Sequence, residues 1–68
     1  MVRVIKRMPV PHDPDIEYVI VHRPSRWGDF LTGRWVRDGF EHHVRVHPGL
    51  AEAQADFEEA RRFYERIQ

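Results

Sequence analysis

The amino-acid sequence predicts an α+β fold: a four-stranded antiparallel sheet in ββββα meander order, with one C-terminal amphipathic helix packed on one face. Three features carry that prediction. Apolar and charged residues alternate at the start of the chain, an Asp-Gly pair divides two β-rich runs in its middle, and apolar residues recur at helical spacing over 50–67. The chain has 68 residues, enough for one core, so 1–68 reads as a single small domain.

The first strand covers residues 2–8, where Val2, Val4 and Met8 alternate with Arg3, Ile5 and Arg7. Residues 9–15 hold three prolines and two aspartates. Proline has a fixed φ and no N–H for a ladder, so this segment reads as a stiff loop. The second strand, 16–22, contains Tyr18, Val19, Ile20 and Val21 in a row, apolar on both faces as a central strand should be. A loop over 23–29 leads to a third strand from Phe30 to Arg37. Asp38-Gly39 then suits the two central positions of a type I′ turn. That turn pairs Arg37 with Phe40, Trp35 with His42, Gly33 with Val44 and Leu31 with Val46, which places Trp35 on the same side as the helix. Beyond His47-Pro48-Gly49, the residues Leu50, Ala53, Phe57, Ala60, Tyr64 and Ile67 form one helical stripe, widened by Phe63. Acids fill the first half of this helix and arginines the second, the order its dipole favours.

Composition narrows the function. There is no Cys, so neither a disulfide nor a thiolate zinc site holds the fold. Eleven basic and eleven acidic residues cancel, which removes the global attraction to phosphate that marks many nucleic-acid binders. Ten of the eleven basic residues are Arg, a bias that codon composition in a GC-rich bacterial or phage genome produces by itself. Nothing approaches the ~20 apolar residues of a membrane span, and the N-terminal residues lack the apolar stretch of a secretion signal, so a cytoplasmic location is expected.

Five histidines raise the question of a metal, but the spacing is poor. His42 and His43 point to opposite faces of a strand, and His43 lies about 13 Å from His47 along it. No metal or other cofactor is expected. Hydroxyl groups have no base fixed beside them by spacing, the glycines are scattered, and no catalytic residue is assigned.

Two surfaces remain as binding candidates. By strand parity the face away from the helix should carry Arg3, Ile5 and Arg7, then Glu17, Val19 and Val21, then Arg34, Val36, His43 and Arg45. The 23–29 loop groups Arg23, Arg26 and Trp27, of the residue types most enriched at binding hot spots. Four strands are also wider than one helix, so apolar surface should remain for a protein partner or a second copy of the chain in a dimer. The sequence thus favours a non-catalytic protein-interaction module, a small regulator or inhibitor that binds through Arg23, Arg26, Trp27, Arg34, Val36, His43 and Arg45. The alternative is a small nucleic-acid-binding domain using Arg3, Arg7, Arg34, His43 and Arg45.

Overall fold

The computed structural model describes residues 2–24, 26, 28–37, 39–40 and 44–67. Its order is β1 (Arg3–Val10), β2 (Asp13–His22), β3 (Phe30–Val36), β4 (Gly39–Phe40), β5 (Arg45–His47) and α1 (Leu50–Ile67). The sheet is an antiparallel meander, β1-β2-β3-β4, with β5 as an extra piece that also pairs with β3. The α+β architecture is therefore as the sequence predicts, except that the fourth strand is split in two.

Pro9 does not end β1. It lies within the strand opposite Glu17, and among the described residues β1 pairs with β2 alone, an edge position of the kind where proline is tolerated. The connection to β2 shrinks to Pro11 and His12. Proline followed by a residue at positive φ, here 69° at His12, is the order a type II turn takes. Further back, Val4 pairs with Val21 and Lys6 with Ile20, so Ile5 is an extra residue, a bulge on the open edge.

The hairpin keeps its expected register at the base, where Leu31 pairs with Val46, but slides by two residues at the tip, where Trp35 pairs with Phe40 and Val36 with Gly39. The chain turns between Val36 and Gly39, with Arg37 at φ 59°, one residue earlier than the Asp-Gly signal implies. Asp38 and His42 lie outside the described residues. The slide brings the Phe40 ring against Trp35, 5.0 Å between centroids and nearly perpendicular, an arrangement aromatic pairs favour.

The two faces of β3 are the reverse of those expected from the sequence. Directly paired residues share a face, and β3 places Gly33 opposite Val19 and Leu31 opposite Val21. Leu31 and Trp35 therefore lie on the side away from the helix, while Phe30, Thr32, Arg34 and Val36 lie on the helix side. The same rule leaves Arg7, Glu17, Val19 and Val21 on the far face and puts Arg3 and Arg45 on the helix side, opposite His22 and Thr32.

Two apolar clusters result, one on each face of β2. On the helix side Phe57 and Ala53 pack on Ile20, joined by Met8, Tyr18 and Phe30. The Phe57 ring is fully buried, with the Lys6 ammonium 5.0 Å and the Arg61 guanidinium 5.6 Å from its centroid, so two basic side chains complete its cover. On the far side Val19, Val21 and Leu31 are also buried, although α1 lies on the other face. Val4 closes over them from β1, and Trp35, Phe40 and Val44 from the hairpin. Trp35 and Phe57 thus belong to separate clusters, where the sequence placed them in one. The ends of the helical stripe, Leu50, Phe63 and Ile67, stay exposed.

Candidate functional site

The far cluster does not close completely. A groove of about 350 Å³ runs across it, between Val2 and Val4 of the N-terminal segment and Trp35, Gly39 and Phe40 of the hairpin, with Val21 and Leu31 as its floor. Gly33 lies beneath the Phe40 wall of the groove. A Cβ there would sit 3.1 Å from the Phe40 ring, so the bare glycine lets that ring pack closely on β3. Val2 is 49% exposed at the rim, and Arg23 contributes to the lining.

Arg23 owes its position to a closed loop neck, in which its backbone N–H donates to the Asp29 carbonyl at 2.8 Å. Gly28 seats the same loop against β5. It has φ 155°, and a Cβ there would lie 2.7 Å from the His47 carbonyl oxygen. Arg26 is exposed in this loop. Trp27 lies outside the described residues, as does His43.

A second groove, of about 490 Å³, separates α1 from the sheet. At its base Asp56 joins helix to strands. The Tyr18 hydroxyl donates to Oδ1 in a short hydrogen bond, and an Arg45 guanidinium N–H donates to Oδ2 at 2.8 Å. The buried Thr32 hydroxyl also supports the carboxylate. Its oxygen also lies 2.9 Å from His47 Nε2, within hydrogen-bonding distance.

The titration of this group follows from its surroundings. Burial alone would raise the Asp56 carboxyl, but hydrogen bonds from Tyr18, Arg45 and Thr32, with the Arg45 charge, outweigh it and hold the group below its ordinary value. Burial, and then donation to Asp56, push the Tyr18 phenol up to about 12. The Arg45 guanidinium is raised by its hydrogen bond to Asp56 and by that charge. A neutral phenol, an ionised carboxylate and a guanidinium together form a clamp whose chemistry is electrostatic.

The residues singled out from sequence are thus divided. Arg23 reaches the far groove, and Arg34 and Arg45 line the helix groove. Val36 is half-buried opposite Ile16. Arg7 pairs with Glu17 at 3.2 Å on the far face, away from Arg34 and Arg45, so a continuous arginine face does not form. Among the described residues no three His, Asp or Glu side chains gather as metal ligands. The Tyr18–Asp56 clamp is not assigned from sequence, yet a signal exists. Asp56 stands beside Phe57 and between Ala53 and Ala60 on the buried stripe, where an acid needs a partner.

No family model, curated protein or solved structure matches the chain, which leaves these two grooves as the ground for a functional reading.

Proposed function

We propose that this chain is a non-catalytic protein-interaction module, a small regulator or inhibitor that docks on a larger protein through the groove on the far face of the sheet. One observation carries the reading: an apolar groove walled by Trp35 and Phe40, with Arg23 at its lining and Val2 exposed at its rim. Trp and Arg are the side chains that most often anchor an interface, and here one of each borders a single apolar trough. With a cation beside an apolar trough, the matching partner surface presents an apolar side chain next to a carboxylate.

The test compares the intact protein with Val2→Asp and Arg23→Ala in a pull-down with and without nuclease. Val2 is exposed, so a charge there spoils the groove while leaving the melting temperature unchanged. Capture that persists after nuclease, and that both variants lose, supports the reading. Capture abolished by nuclease, or falling steeply with salt while indifferent to Val2→Asp, would replace it with nucleic-acid binding.

A further inference from the structure

We propose that the groove between α1 and the sheet is a binding site for a small organic carboxylate with a flat apolar body. The site lies on the opposite side of β2 from the docking groove and does not depend on that reading. Three arginines on three elements line it: Arg34 of β3, Arg45 of β5 and Arg66 of α1. The clamp makes Arg45 a prepared donor. Asp56 is anchored by Tyr18 and Thr32 and its side chain is only 7% exposed, while that of Arg45 is 67% exposed and is bonded to it through one terminal nitrogen. The rest of the guanidinium is presented outward from a fixed base. A guanidinium so held loses little freedom when it takes a second carboxylate, and its planar fork matches that group.

The opposite wall supplies the apolar contact. Phe63 is 51% exposed, yet its ring is held edge to face against Tyr64 at 5.6 Å, and Tyr64 meets Tyr18 at 6.0 Å. These rings make a rigid surface for a flat body beside the cations. The acids around the groove decide the ligand's charge. Asp56 and Glu59 line the same groove, and Asp13 accepts from Arg34 at 3.4 Å, so the acids balance the arginines and the ligand is held by the outward donors of Arg45, not by a net positive charge. A single carboxylate suits it, whereas a phosphate dianion would meet the acids.

Amide chemical shifts of the full chain, titrated with phenylacetate, phenylacetamide, acetate and phenyl phosphate, test this. Phenylacetate should produce saturable shifts at Arg34, Arg45 and the 59–66 turns of α1. Phenylacetamide and acetate should each bind at least about tenfold more weakly, since one lacks the charge and the other the ring. Arg66→Gln and Phe63→Ala alter exposed side chains, and each should weaken phenylacetate by roughly fivefold or more at an unchanged melting temperature. Equal binding of the amide, tighter binding of phenyl phosphate, or shifts confined to the far groove would each overturn the assignment.

Discussion

Tyr18 and Asp56 show how one pair of side chains links pH to the seating of the helix. The carboxyl is held below its ordinary value, so its contribution to stability is complete above that value and disappears as pH falls through the folded one. The phenol has the opposite sign. Its contribution is complete below the ordinary 10.0 and is lost as pH climbs through about 12. Urea unfolding followed across pH should therefore show Asp56→Asn with a shallower acid limb and Tyr18→Phe with a shallower alkaline limb. At neutral pH Tyr18→Phe leaves the buried carboxylate one donor short and should cost about 1–3 kcal/mol. An unchanged midpoint would show that the clamp contributes nothing. This pair was hard to read from sequence because Asp56 stands among Glu52, Glu58 and Glu59, a series that the helix dipole accounts for without any partner.

At the scale of elements, bulge and loop make contrasting claims about what the sheet tolerates. Ile5 is the extra residue between two pairs that already fit, Val4 with Val21 and Lys6 with Ile20. Its deletion should leave both pairs in place and the melting temperature within a few degrees, while straightening an open edge that bulges protect. Light scattering should then report more self-association than in the parent chain. Gly28 is less forgiving, because a Cβ would press on the backbone of His47. Gly28→Ala should cost on the order of 2 kcal/mol, seen as a lower denaturation midpoint. The helix and β2 were legible in the sequence because their apolar residues repeat at a single period. The side of the sheet that β3 presents to the helix was not. Phe30, Leu31 and Trp35 give it large groups on both faces, and parity alone cannot choose between them.

For the whole molecule the decisive feature is a sheet with an apolar cluster on each face, one under the helix and one between its own edges. A core expected to be single is two clusters divided by β2, one around Phe57 and one around Leu31. Phe57→Leu and Trp35→Phe should therefore destabilise independently, the double variant matching the summed single effects within about 0.5 kcal/mol. A larger coupling energy in denaturant unfolding would mean that the sheet transmits strain between its faces.

The clamp between Tyr18 and Asp56 also spans 38 residues of chain, whereas the meander pairs strands that follow one another closely. Hairpins of short loop can form before distant parts of the chain meet, so we expect the sheet to assemble before the helix docks on β2. Contacts made after the folding barrier act on escape from the native state. Removing the Tyr18 hydroxyl should thus accelerate unfolding and leave the refolding rate almost unaltered, which makes this hydrogen bond a determinant of the protein's lifetime in the folded form.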